Sequence, residues 1–304
     1  MTPKSIDLGA QATSGITKVF IRSQLLTKPQ RAPANTDLSG QVAIVTGAST
    51  GLGFKCVEHL LSLKLSHVIL AVRSLEKGKA AAKHFLGRYP SAKVEVWELE
   101  MTSYPSIQAF SQRVSSELPR LDIAILNAAV IEATYQANKS TGHDRVIQVN
   151  YLSTFLLAIL LLPSLKTKSP GKAGRLTIVN SSVALGAKFA TRSQRPLLSS
   201  FDTPTAYDAT NRYNDSKLLG QLFLVKLLPY LRPEDVIVNI VDPGFCKGSE
   251  LHRTTDGLVA AAVSMTKALT GRTPEAGAWT YIDAAVVKGA ESHGCFCMDW
   301  KIAP

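Results

Sequence analysis

An apolar run ending at Val45 leads straight into TGASTGLG, and that turn leads into the amphipathic stretch FKCVEHLLSLKL. A strand, a tight glycine turn and a helix in immediate succession point to the first unit of an α/β sheet. Gly47, Gly51 and Gly53 allow the sharp turn and a close backbone approach, while the exposed N–H groups and dipole at the helix start attract negative charge. Together with Ser49, Thr50 and Leu52, these glycines predict a cradle for the diphosphate of a dinucleotide.

From residue 40 onward, short β-branched runs alternate with longer stretches of helical period, which predicts a doubly wound parallel sheet with helices on both faces. The expected strands are Gln41 to Val45, His67 to Val72, Lys93 to Glu98, Asp122 to Leu126, Arg175 to Asn180, Val236 to Val241 and Cys295 to Met298, about seven in all. With no repeat of fixed period in the 304 residues, one Rossmann domain over 40–304 accounts for nearly everything. Residues 1–39 read as an irregular basic arm on its surface, with Lys4, Lys18, Arg22, Lys28 and Arg31 among Gly9, Gly15, Pro29 and Pro33. Residues 184–212 and 246–272 lack strand signals and follow the fifth and sixth strands. Ligands of open α/β sheets bind at the carboxyl ends of strands, so these loops are expected to wall the substrate site.

A net charge of +11 suits an anionic partner. No Lys/Arg run, zinc-finger spacing or aromatic-basic repeat accompanies it, so a phosphorylated cofactor is expected and a nucleic acid is not. Cys56, Cys246, Cys295 and Cys297 are too few and too irregular for a disulfide framework; they read as packing residues, with no metal site, in a reducing, cytoplasmic setting. The apolar stretch Tyr151 to Leu165 falls short of the roughly 20 residues of a bilayer span and is expected as a buried helix, in the core or at a subunit interface of a homo-oligomer.

Tyr-x-x-x-Lys occurs three times. The copy Tyr89/Lys93 brackets Pro90 ahead of a strand, and Tyr135/Lys139 lies in a polar stretch with no apolar helical face behind it. Tyr213 and Lys217 differ, because Leu218, Leu219, Leu222, Phe223 and Val225 continue at helical spacing. Four residues on a helix bring phenol and ammonium together. At ~4 Å and an effective dielectric of ~20 their attraction is about 4 kcal/mol, enough to draw a phenol toward neutrality before desolvation opposes it. A tyrosine tuned in that way exchanges protons with an alkoxide or alcohol. Ser181 and Ser182 follow the fifth strand, where period-2 alternation would let only one of them face the site.

The TGxxxGxG spacing resembles the fingerprint of the short-chain dehydrogenase/reductase family, and the likeness extends from about residue 40 to the C-terminus. The resemblance implies a catalytic set of Asn150, Ser182, Tyr213 and Lys217. In it Ser182 binds the substrate oxygen, Asn150 supports a water relay to the lysine, and Tyr213 and Lys217 also touch the cofactor. It further implies cofactor contacts at Glu100 and Met101 near the adenine and at Asn127 beside the adenosine. Pro243, Gly244 and Phe245 would border the nicotinamide, and Ser249 would replace the family's usual hydroxyl contact to the cofactor. Glu100 replaces the family's usual Asp. Arg73, where an acidic residue would select NAD, favours NADP(H) through charge-assisted bonds to the 2′-phosphate.

The stretch between Ser182 and Tyr213, with RTPEAGAW and ESHGCFCMDWKIAP near the end, resembles retinol-dehydrogenase-like and fungal secondary-metabolite reductases. Leu185, Phe189, Leu197, Leu198 and Phe201, with Leu258, Val259 and Met265, suggest apolar walls for a medium-sized lipophilic carbonyl, such as a polyketide or terpenoid intermediate. The expected activity is NADPH-dependent reduction of that ketone or aldehyde. Sequence leaves two alternatives open: an NADP-dependent alcohol dehydrogenase running oxidatively, and an NADP(H)-sensing regulator without catalysis.

Overall fold

Val42–Thr46 (β1) is buried along its whole length, as a strand must be when helices cover both faces of its sheet. Side chains alternate on the two faces: Ile44 joins one hydrophobic core, and Ala43 and Val45 join the other. The computed structural model of the protein describes residues 15–205, 207–247 and 270–303. Among them α2 (Gly51–Ser62), β2 (His67–Val72), α3 (Leu75–Arg88), β3 (Lys93–Glu98), α4 (Tyr104–Glu117) and β4 (Ile123–Leu126) complete the first half, with α1 (Ile16–Ile21) preceding β1. The second half contains α5 (Arg145–Thr167), β5 (Gly174–Val179), α6 (Ala209–Leu227), β6 (Val236–Asp242), α7 (Pro274–Ile282), β7 (Phe296–Met298) and β8 (Lys301–Ala303).

The sheet order is β3-β2-β1-β4-β5-β6-β7-β8. All pairings are parallel except that of β8, which returns antiparallel along β7. The eighth strand is an addition to the seven expected. Its turn uses Asp299 and Trp300 at φ 55° and 59°, two left-handed residues that a sequence reading does not expect of tryptophan. Order reverses on either side of β1, which opens a crevice between the carboxyl ends of β1 and β4. The edge strand β3 carries Lys93, Glu95 and Glu98, charges that discourage pairing with another sheet.

Side-chain caps fix where the helices begin. The Ser74 hydroxyl accepts from the Lys77 amide at 3.3 Å, Ser103 from Ser106 at 3.3 Å, and Asp208 from Asn211 at 2.9 Å, so each satisfies an otherwise orphaned N–H at a helix start. The apolar helix is longer than its sequence suggests. Residues Arg145–Thr167 form one helical run of 23 residues, and 61% of its most apolar window is buried. Leu157, Leu161 and Leu165 are wholly buried in the core while Ile159 is 42% exposed. Gln148–Ser153 within it are wound as a π-helix, a local widening that carries Asn150.

The arm is not simply a surface appendage. Ile16–Ile21 and the π turn Arg22–Leu26 that continues it form a helix that buries Ser23 at 3% exposure.

Candidate active site

A chamber of about 680 Å³ lies at the carboxyl ends of the strands and is lined by the turns after β1, β2, β3, β4, β5 and β6. Gly47, Ser49, Thr50, Gly51 and Leu52 form its floor. Gly47 and Gly51 adopt φ 64° and 60°, which L side chains rarely take. Gly53 is different: it is buried and does not belong to the lining. A Cβ on it would collide with the Gly47 carbonyl and come within 2.7 Å of Asn127 Nδ2, so its bareness lets α2 pack onto the β1 turn. The expectation that Gly53 meets the cofactor is therefore corrected to a packing role.

At one end of the chamber stand Arg73, Ser74 and Lys77, with Glu100 and Met101 opposite. Arg73 Nε is 3.8 Å from Glu100 Oε2, and both groups keep solvent contact, so this pair is a weak one. Glu100 Oε1 is committed elsewhere, accepting from the Thr102 amide at 2.9 Å and hydroxyl at 2.8 Å. Met101 is 6% exposed and belongs as much to the core as to the chamber. Lys77 is not singled out by the sequence reading; it stands in the first turn of the helix that Ser74 caps, four residues after Arg73. Asn127 lines the chamber but its side chain is engaged: Nδ2 donates to the Thr46 carbonyl at 2.9 Å, and Oδ1 accepts from the Tyr281 hydroxyl at 3.0 Å.

At the other end Ser182, Tyr213, Lys217, Pro243, Gly244 and Phe245 converge. Capping by Asp208 starts α6 early enough to place Tyr213 and Lys217 one turn apart inside it. Lys217, 4% exposed, donates from Nζ to the Val179 carbonyl at 3.0 Å, and Nζ lies 5.5 Å from the centroid of the Tyr213 ring. Burial lowers this ammonium to about 8, against the neighbouring Asp242 carboxylate, which favours its charge. Tyr213 is pushed upward, first by burial and then by Asp242. The expected lowering of the phenol by its lysine is thus outweighed here. The ammonium is spent partly on a carbonyl, and an anion absent from the sequence argument stands nearby.

Asp242 ends β6 at 1% exposure. Its carboxyl is raised by burial, while the Ser182 side chain, the Gly244 amide at 3.1 Å and the Arg272 charge favour the ionised form. No alternation separates the two serines, because β5 ends at Val179. Ser181 instead caps a 3-10 turn, Ser182–Gly186, and both serines reach the lining. Asn150 is not in the lining. Its amide donates to the Val130 carbonyl at 2.9 Å and to Ser216 Oγ at 3.1 Å, and its Oδ1 accepts from the Val130 amide at 2.9 Å. The side chain expected to act in catalysis is thus tied to Val130 and to Ser216, the residue next to Lys217, and does not face the chamber.

The apolar loop residues are corrected too. Phe201, at 1% exposure, packs with Ile147 and Leu219, and Phe189 and Leu197 cover them in a satellite core. Among the described residues none of Leu185, Phe189, Leu197, Leu198 and Phe201 lines the chamber. Ser249, Leu258, Val259 and Met265 lie outside the described residues. Residues that sequence reasoning missed do line it: Phe20, Ser23 and Gln24 from the arm, together with Asn214 and Tyr281. No local pattern announces them, because they arrive through contacts remote in the chain.

Comparison with known proteins agrees with this architecture. A family model described as short chain dehydrogenase matches residues 41–192. The short chain dehydrogenase/reductase mfmJ of Annulohypoxylon moriforme is 54% identical over 286 residues, covering 94% of this chain and 83% of its own. The short chain dehydrogenase opdN of Penicillium oxalicum is 45% identical over 296 residues, covering 94% of each chain. Among solved structures, the NADPH-bound short chain oxidoreductase of Pseudomonas aeruginosa superposes with a TM-score of 0.63 at 20% identity, over 86% of this chain and 95% of its own.

Proposed function

The chain belongs to the short-chain dehydrogenase/reductase family, an oxidoreductase family acting on CH–OH and C=O groups, and from that premise we propose that it reduces a medium-sized lipophilic ketone or aldehyde with NADPH. One observation carries the reading. A single chamber has the cations Arg73 and Lys77 at one end and the Ser182 hydroxyl, Tyr213 phenol and Lys217 ammonium at the other, with the glycine floor between.

The residues present fit an NADP(H) molecule. Gly47 and Gly51 leave backbone exposed for a diphosphate, and Arg73 and Lys77 supply positive charge suited to a 2′-phosphate. NADPH, when bound, supplies the hydride. Ser182, on turning its hydroxyl hydrogen from Asp242 to the substrate oxygen, would hold that oxygen where negative charge develops. Tyr213, whose pKa is raised and which is therefore protonated at neutral pH, would give its phenolic proton to that oxygen. Lys217 would place positive charge beside the phenolate left behind. Asn150 keeps the Ser216–Lys217 segment in position through Ser216. Relatives from Annulohypoxylon and Penicillium support a role in fungal secondary metabolism; a polyketide or terpenoid intermediate is the substrate class we propose for it.

The test is consumption of NADPH by the purified protein across a panel of aryl, alkyl and terpenoid ketones and aldehydes, with alcohols plus NADP as the reverse arm. Carbonyl-dependent oxidation that Tyr213→Phe abolishes is the expected result. NADPH binding without turnover of any carbonyl or alcohol would overturn the reading in favour of a cofactor sensor.

A further inference from the structure

Residues 16–26, although they precede the Rossmann domain, line its chamber at the catalytic end. The helix packs against the 3-10 turn Ser182–Gly186 that carries Ser182. On its other side the Phe20 ring meets the Phe245 ring edge-on, centroids 5.8 Å apart, in the loop after β6. Phe20, Ser23 and Gln24 thereby enter the lining, between the serine that would hold the reacting oxygen and the loop expected beside the nicotinamide.

The segment is fastened. Arg272, 6% exposed, donates from Nη2 to the Ser23 carbonyl at 2.8 Å and the Ser23 hydroxyl at 3.2 Å, and pairs with Asp299. Its Nη1 donates to the Pro243 carbonyl at 3.2 Å, and Ser23 Oγ donates to Asp299 Oδ1 at 2.8 Å. In the orientation that satisfies its carboxamide, Gln24 donates to the Phe245 carbonyl at 3.1 Å and accepts from the Phe245 amide at 3.0 Å. Space for this contact depends on Gly244, where a Cβ would lie 2.6 Å from Arg272 Nη1 and 2.8 Å from the Gln24 carboxamide. A buried guanidinium whose partners come from the arm, the β6 loop and the β7–β8 turn is costly to break, because removing one partner leaves a desolvated charge behind.

We propose that the N-terminal helix is a fixed wall of the substrate end of the chamber, that Phe20 sets the bulk of carbonyl substrate accepted, and that Arg272 and Gln24 are the positioning residues that hold it there. The inference rests on the reductase reading for its substrate. It assigns specificity to the arm, since Phe189, Leu197 and Phe201 of the 184–212 loop pack into a satellite core while that range gives the chamber only Ala209 and Thr210.

The experiment compares wild type, Phe20→Ala and Phe20→Trp on a series of ketones graded from small to bulky, with NADPH affinity measured separately. Phe20→Ala is expected to raise kcat/KM for the bulkiest ketones relative to the smallest by about ten-fold, and Phe20→Trp to lower that ratio, because a hydrophobic pocket discriminates by roughly 10- to 200-fold. The change should appear in KM more than in kcat, with NADPH affinity unchanged. Size profiles that overlay in all three proteins overturn the proposal. A second readout needs no turnover: trypsin cleavage after Lys18 and Arg22 is expected to be about ten-fold slower in the native chain than in Arg272→Ala, since protection follows local opening. If Arg272→Ala does not fold, Asp299→Asn takes its place. Equal cleavage rates with and without the clasp also sink the wall. Protection in a wild-type protein that turns over no carbonyl would leave the wall standing and overturn only the reductase reading.

Discussion

The Lys217 ammonium donates to the Val179 carbonyl at 3.0 Å and stands 5.5 Å from the centre of the Tyr213 ring. It is thus anchored to the end of β5 while still presenting its charge to the phenol. Burial holds Lys217 at about 8, so the ammonium is present below that pH and is lost above it. For the reductive direction kcat is expected to fall as pH rises through about 8, with loss of one proton. Lys217→Arg, which stays charged, should remove that limb from whatever rate survives. A wild-type profile that stays flat well above this value would take Lys217 out of the proton-transfer step.

Tyr213→Phe keeps the ring and removes the proton. Turnover is expected to drop by about 100- to 10,000-fold, the usual contribution of a positioned acid, while NADPH affinity stays within two-fold or so. Single-turnover rates together with equilibrium titration of NADPH fluorescence would separate the two effects.

Asp242 raises the pKa of both Tyr213 and Lys217. Asp242→Asn therefore removes an anion that favours protonation at both groups, and both pKa values should fall. The alkaline limb of the kcat profile is expected to move below its wild-type position. An unmoved limb would mean that the buried carboxyl is already uncharged at working pH.

Arg73→Asp replaces a cation at the chamber's polar end with an anion. KM for NADPH is expected to rise about 10- to 100-fold, the scale of a charge-assisted hydrogen bond, with little change for NADH. Lys77→Ala should act in the same direction. Steady-state kinetics with the two cofactors decide the matter, and an unaltered cofactor ratio in both variants would remove this end as the 2′-phosphate site.

Gly53→Ala adds a Cβ that meets the Gly47 carbonyl and Asn127. Overpacking of this kind costs about 1 to 3 kcal/mol, which denaturant unfolding can measure. Gly51→Ala, with open space around its Cβ position but φ 60°, should act through backbone strain instead.

The parts of the site that were legible in the sequence are those whose neighbours are close in the chain. The glycine turn, Arg73 after β2, and Tyr213 with Lys217 on one helix each carry a local signal, and the chamber brings them together. Asn150 is legible as a residue of the site's surroundings, but a spacing motif does not reveal that its amide is engaged by Val130 and Ser216. Apolar loop residues such as Phe201 were assigned to the wrong side, since hydrophobicity says that a side chain is buried but not against what. The influence of Asp242 and the arm's return to the site depend on contacts spanning much of the chain, which no window of sequence contains. The boundaries of the seven expected strands agree with the structure to within about a residue, helped in inner strands such as β1 and β2 by burial on both faces, which leaves a continuous apolar run, and in the edge strand β3 by alternation. Strand β8 escaped because its short, partly exposed pattern follows a turn built on Trp300.

Ser23 and Asp299 are 276 positions apart and share a hydrogen bond. Because synthesis runs from the amino end, the arm is made 276 residues before its carboxylate partner exists. The compartment expected to receive substrate is therefore fastened by a contact of long sequence separation, whose loop-closure entropy must be met before the arm can seat.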